Sequence, residues 1–225
     1  MSSNFCHVLN NTIKNLSSNI QPFHLHVSNK SHIFAYHKVW YLYIMKKIAK
    51  EEWLTSGLKI IENEGVTKIT IDNLCNMLNI TKGAFYHHFK NIDGYIDTLM
   101  SFWIKESTLA FIEKVEKIDN AKEKLYELSK MSAFSKYKCE SRIRGWSYTN
   151  DIVRQYVQQV DKLRLNYLKQ INSESGYNDE NSQKTAIIQY ALLIGLQHIG
   201  TEISAYDFNE LQTLLIDKFF NDIEK

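Results

Sequence analysis

Within the eight residues from Thr81 to His88 the chain sets out an ammonium (Lys82), a phenol (Tyr86), two imidazoles (His87, His88) and one residue with no side chain (Gly83), with Lys90 just beyond. These are hydrogen-bond donors suited to phosphate oxygens and to the acceptor edges of bases. They do not form a metal set, because adjacent helical residues such as His87 and His88 face different ways. Elsewhere there is no Ser-His-Asp or Cys-His set, no paired carboxylates and no Gly-rich phosphate loop, so nothing supports an enzyme and no cofactor is implied. His198, on an apolar segment, reads as a core or interface histidine rather than a base.

These donors need an element to hold them. Thr70 stands where a helix N-cap belongs, with Asp72 in the first turn to suit the helix dipole. Ile71, Leu74, Cys75 and Leu78 fall at i, i+3, i+4 and i+7, a stripe for burial. Asn79 tolerates the left-handed backbone of a sharp turn. Ile80 is expected to plug the core, and Thr81 to cap the next helix. On that helix Phe85 and Phe89, four apart, point inward and leave Lys82, Gly83, Tyr86, His87 and His88 outward. Helix, tight turn and helix with a polar front is the layout of a helix-turn-helix that enters a DNA groove. The residues alone also allow Tyr86 as a core aromatic and His88 as an ordinary surface residue. Gly83 lies inside a helix, where glycine costs roughly 1 kcal/mol against alanine, and close approach of DNA to the backbone would explain it. A preceding helix, from about Met45 to Asn63, carries Ile48, Trp53, Leu54, Leu58 and Ile61 at helical spacing and Lys46, Lys47 and Lys50 near its start. Gly65 is expected to stop it in left-handed conformation.

The run GVTKITIDNLCNMLNITKGAFYHHFKN resembles the DNA-binding domain of the tetracycline-repressor-like (TetR/AcrR) family, over roughly residues 47–107. The resemblance rests on a Thr opening the second helix, a short turn, and the string ITKGAFYHHFKN. It implies that Thr70, Tyr86, His88 and Lys90 hold phosphates, and that Lys82, Gly83 and His87 approach base edges. Thr81, opening the reading helix, is grouped with them. Ile92 stands where the family usually carries a basic residue, removing one phosphate contact.

Composition fits an all-α chain. Among 225 residues there is one proline, Pro22, and eight glycines. The net charge of +2 is no nucleic-acid signal by itself, and residues 45–107 balance eight Lys against eight Asp or Glu. A single head would bind DNA weakly, so a dimer is expected. The cysteines Cys6, Cys75 and Cys139 form no CxxC pair, which fits a reducing cytoplasm. No apolar run approaches the roughly 20 residues that span a bilayer. Residues 1–44 carry Lys14, Lys30 and Lys38, no acid and five of the eight histidines. Without arginine or a compact apolar core they read as a disordered extension, or as sequence ahead of a true start at Met45. His24 and His26 lack further ligands at a plausible spacing.

Beyond Asn91 a long helix is predicted to about Lys117, roughly 36 Å at 1.5 Å per residue. Further helices are predicted at about Ala121–Phe134, Glu140–Tyr148, Asp151–Ile171, Asp179–Ala205 and Phe208–Ile223, with a loop leading to Asn178. The segment from Cys139 to Ile171 resembles the central part of many family members more loosely. Residues 118–225 thus read as a regulatory and dimerisation domain joined to the head by the long helix. The aromatics Phe102, Phe111, Phe134, Tyr137, Trp146, Tyr148 and Tyr190 either line an effector pocket or fill a helical core. IIQYALLIGLQHIG is apolar nearly all round and must be covered on more than one side. Gly195 and Gly200 would let a second helix approach, so the last two helices of two copies are expected to form a four-helix bundle, the other reading being an internal core helix of a monomer.

The resemblance therefore implies a homodimeric regulator of transcription, most often a repressor, released from a palindromic operator by a small apolar or aromatic effector. A protein of the same fold without ligand control, such as a chromosome-organising factor, is the competing reading and would need no cavity.

Overall fold

The computed structural model describes residues 50–135, 138–199 and 203–223, with side chains to 219. Readings made above for residues 1–49, Tyr137 and Gly200 lie outside the described residues. Every element among those described is helical.

Helix α1 (residues 50–63) buries Trp53, Leu54, Leu58, Ile60 and Ile61. Gly65 ends it at φ 96° and ψ 166°. The positive φ is as expected, but the extended ψ is not that of a left-handed helix, and it turns the chain into a 3-10 turn at Val66–Lys68. Helix α2 (Ile71–Leu78) starts where the Thr70 hydroxyl accepts from the Asn73 amide at 3.2 Å. It ends where Asn79 takes the left-handed conformation at φ 53° and ψ 46°. That turn lets the Ile80 amide reach back to the Cys75 carbonyl at 3.0 Å, closing the helix end. The closure lays Ile80 over the turn with 37% of its surface exposed, so it does not plug the core. Thr81 occupies the cap position of α3 (Lys82–His88), yet its hydroxyl caps nothing. Its carbonyl alone begins the helix, accepting from Ala84 at 3.0 Å.

Phe85 and Phe89 are buried as expected and join Trp53 and Tyr95 in an aromatic cluster, with Phe89 edge-on to Tyr95 at 4.9 Å and Phe85 edge-on to Trp53 at 5.6 Å. Such pairs add about 0.5–1.5 kcal/mol each beyond area burial. Helix α4 (Ile92–Ile104) is capped by the Asn91 side chain, which accepts from Gly94 at 2.8 Å. It contributes Tyr95, whose hydroxyl donates to the Trp53 carbonyl at 2.8 Å. Ile92 packs against this core, so the residue that breaks the family pattern turns inward.

The long helix is not uniform. From α4 it passes through a π-helical segment (Lys105–Leu109) into α5 (Ala110–Val115). Ser107 donates back to the Trp103 carbonyl at 2.7 Å, and Arg164 reaches the Thr108 hydroxyl at 3.0 Å. Helix α6 (Ala121–Ala133), α7 (Glu140–Trp146) and α8 (Asp151–Glu174) follow, the first and last capped by Asn120 and Asn150. α8 runs past the predicted end at Ile171 because Asn172 is fully buried and exchanges amide hydrogen bonds with Gln189 at 3.0 and 3.4 Å. Helix α9 (Asp179–Ile199) is shorter than predicted, and Ala205 begins α10 (Ala205–Ile223) instead of ending α9. Ser204 sets that start, its hydroxyl accepting from the Asp207 amide at 3.2 Å. No helix among the described residues is long and apolar enough to cross a membrane.

One face of α9 buries Thr185, Ala186, Gln189, Tyr190 and Leu196. The opposite face leaves Ile187 and Ile188 exposed, and a Cβ built on Gly195 would meet nothing within 4 Å. On α10 Leu211 and Leu214 are likewise exposed.

Candidate nucleic-acid interface and adjoining cavity

The aromatic cluster grips the back of α3 and leaves its front open. Tyr86 is 56% exposed, and Thr70, Thr81, Lys82, Gly83, His87 and Lys90 are exposed beside it. His88 differs from the expectation: it is half-buried, its ring 6.5 Å from Trp53 and 6.0 Å from Phe89. Thr70 can serve two roles, since its oxygen accepts from Asn73 while its hydroxyl hydrogen stays available to a phosphate.

Lys82 is not a bare cation. Its ammonium pairs with Asp72 of α2 at 2.5 Å, and that hydrogen bond, with Asp72's charge, holds its pKa above the ordinary lysine value. The pair is exposed and so screened by salt. The ammonium has three N–H donors, so it can keep Asp72 and still offer donors to a further acceptor. Asp72, read from the sequence only as a dipole partner, thus also positions Lys82. The i, i+10 spacing across the turn is visible in the sequence, but only the turn geometry makes it a contact.

Gly83 has no internal reason to be glycine. A Cβ there would meet only the Thr81 hydroxyl oxygen, at an ordinary 3.7 Å. Gly83→Ala should leave the fold intact or stabilise it by up to about 1 kcal/mol, while DNA affinity falls severalfold. Thermal unfolding beside a binding titration checks this, and unchanged affinity would remove Gly83 from the interface.

Among the described residues no three His, Cys, Asp or Glu side chains converge on a metal-binding point. Cys75 and Cys139 are buried and unpaired. Burial raises both thiols above the ordinary cysteine value, Cys139 to about 12, so neither is a reactive thiolate.

A cavity of about 540 Å³ lies among α5 to α10. Phe111 and Tyr190 line it. Phe102 does not, because it is buried in the core that α4 shares with the head. Trp146 packs against that same core, and Phe134 stands 47% exposed against the Tyr206 ring. Tyr148 is exposed as well. Missed from the sequence were Gln197 and Gln212, polar residues on apolar helices, and Arg142, which donates to the Ile61 carbonyl of α1 at 2.7 Å. The cavity wall also includes Glu62 and Asn63 at the end of α1, and Ser107 and Thr108 of the π segment. Next to it, the Glu140 carboxylate is shared by Arg144 at 2.9 Å and Arg164 at 2.9 Å, while Arg144 also reaches Asp161 at 2.7 Å and the Tyr190 hydroxyl at 2.6 Å.

The described residues, all helical, set a three-helix head ahead of a long helix and a helical second half, an arrangement shared with known proteins. A TetR-family transcriptional regulator from Streptomyces coelicolor superposes with a TM-score of 0.68 at 14% identity, covering 79% of this chain and 90% of that one. A TetR regulator from Legionella pneumophila gives 0.65 at 17% identity over 87% and 99%. The fold is that of the TetR-family regulators. A transcriptional regulator from Saccharomonospora viridis in complex with choline shares this TetR fold, at a TM-score of 0.65 and 14% identity over 76% and 96%. No family model and no curated protein matches the sequence. The likeness read from ITKGAFYHHFKN therefore holds at the level of the TetR fold.

Proposed function

We propose that the chain is a homodimeric, sequence-specific DNA-binding regulator of transcription, a repressor that a small molecule releases from a palindromic operator. The observation that carries this is the front of α3, where Lys82, Gly83 and Tyr86 are exposed on a helix whose back is locked by Phe85 and Phe89. Here α3 lies in the major groove, Lys82 and His87 approach base edges over Gly83, and Thr70, Thr81, Tyr86, His88 and Lys90 hold the backbone. The head occupies residues 47–107 and the regulatory half residues 118–225.

DNA selected from a random pool by the full-length protein should contain a two-fold repeat with half-sites roughly 34 Å apart. Tyr86→Ala should weaken binding to it about tenfold without changing the circular dichroism spectrum. Undiminished binding would overturn the assignment of the head.

The near-neutral head needs a second copy, and the exposed apolar faces of α9 and α10 support one. Burying Ile187, Ile188, Leu211 and Leu214 of two chains against each other would satisfy faces that water otherwise covers. Leu214→Glu should give a folded monomer by light scattering, with operator binding lost. A dimer that persists would place the interface elsewhere.

The cavity favours ligand control over a purely architectural role. Its wall includes the end of α1 and the π segment between α4 and α5, so a bound molecule would press on both supports of the head. The structural neighbour that holds choline is a precedent for a small molecule in this fold. Buried, protonated thiols suit a reducing cytoplasm.

A further inference from the structure

The cavity wall is apolar over much of its surface, with Phe111, Leu128, Leu192, Leu196 and Phe208 among its residues. Its volume of about 540 Å³ lies within the range, about 300–1,000 Å³, of pockets that hold drug-sized molecules. What distinguishes it is the state of its polar atoms. Arg164 sends one nitrogen to each oxygen of Glu140, at 2.9 and 3.2 Å, and a third to Thr108 at 3.0 Å. Glu140 also takes Arg144, which is in turn held by Asp161. The two guanidinium groups and two carboxylates neutralise one another, so this cluster offers a ligand no spare charge. The other charged residues of the wall are Glu62, Lys138 and Arg142, and Arg142 is turned to the Ile61 carbonyl. The Tyr190 hydroxyl is committed to Arg144 and Asp161, and the Gln189 amide to Asn172.

Two atoms are left over. Among the described residues the buried side-chain polar atoms without a hydrogen-bond partner are Gln197 Oε1 and Gln212 Nε2. Both residues line this cavity, one from α9 and one from α10. One atom is an acceptor and the other a donor, and leaving either unpaired in a buried place is destabilising. A molecule that presents both a donor and an acceptor would satisfy the two.

We propose that the cavity binds an uncharged, largely apolar molecule bearing a hydroxyl or primary amide, which donates to Gln197 and accepts from Gln212. The ligand class rests on reading the cavity as the effector site. A carboxylate could accept from Gln212 but would face the Gln197 oxygen with its own negative charge. An ammonium would meet the reverse problem at Gln212, with Glu140 already held by two arginines. Choline, held by a neighbour of the same fold, is therefore not the ligand class expected here.

Isothermal titration of the full-length protein at pH 7 with 1-decanol, decanamide, decanoate and decylammonium tests this. The alcohol and the amide should each bind at least tenfold more tightly than either ion. Replacing both glutamines, Gln197→Leu with Gln212→Leu, should remove that preference and raise the melting temperature, because two unpaired polar atoms leave the interior. Decanoate or decylammonium binding as tightly as decanol would overturn the proposal, as would absence of binding by all four. Decanol affinity unchanged in a folded double variant would also overturn it. The wild-type series decides the matter even where the double variant does not fold. Decanol that binds as stated yet leaves operator binding unchanged would support the ligand class and defeat only the release reading.

Discussion

Replacing Glu140 with leucine should cost about 3–5 kcal/mol of folding stability, the usual penalty for removing one partner of a buried ion pair. Glu140 is 8% exposed and its carboxylate serves two arginines at once. Without it Arg144 still has Asp161 and Tyr190, but Arg164 keeps only Thr108 and Ser107, neutral groups that cannot balance a buried charge. For a chain of this size the melting temperature should fall on the order of 10 °C. The same reasoning predicts a rescue. Adding Arg164→Met removes the stranded charge and leaves an apolar side chain of similar length, so the double variant should recover most of the loss. Thermal and urea unfolding followed by circular dichroism measure both. A Glu140→Leu cost under 1 kcal/mol, or a double variant no better than the single, would mean that water reaches this network.

The second large effect belongs to Gly57, in the middle of α1. An ideal Cβ at this position would lie 2.1 Å from the Tyr95 hydroxyl and 3.1 Å from both Leu99 methyl carbons. Tyr95 cannot step aside cheaply, because it is fully buried and its hydroxyl is tied to the Trp53 carbonyl at 2.8 Å. Gly57→Ala should therefore destabilise the head by about 1–3 kcal/mol, as overpacking does, despite the better helix propensity of alanine. Operator binding should fall with it, since α1, α3 and α4 meet at this cluster. Tyr95→Phe removes the clashing oxygen, so the pair Gly57→Ala with Tyr95→Phe should be more stable than Gly57→Ala alone. A non-additive cycle of that sign checks the contact directly. Simple additivity would show that the backbone relaxes instead.

Gly57 and Gly83 look alike in the sequence, each a glycine within a helical pattern, and the sequence offers a reason only for Gly83. The structure separates them. A side chain at Gly57 would strike the protein's own core, whereas one at Gly83 would make only an ordinary contact with the Thr81 hydroxyl. The protein's own packing gives no reason for glycine at the second, which is what the Gly83→Ala titration tests.

The sequence by itself determined what depends on neighbours a few residues away. Thr70 capping α2 through the Asn73 amide and Asn79 in left-handed conformation are a local hydrogen bond and a local dihedral, and they stand where local chemistry put them. The inward turn of Phe85 and Phe89 was equally legible, since helical periodicity over one element is enough to sort a buried face from an exposed one. Tertiary structure decided what depends on which helix meets which face. It laid Ile80 over a turn and sank His88 halfway beside Trp53. It lengthened α8 through the Asn172–Gln189 exchange and shortened α9. It also chose Phe111 and Tyr190 for the cavity, left Phe102 and Trp146 to a shared core, and gave the cavity its unpaired polar atoms from Gln197 and Gln212. Periodicity says that a side chain is buried. It does not say whether packed atoms or an empty volume lie beyond it, because that is settled by helices distant in the chain.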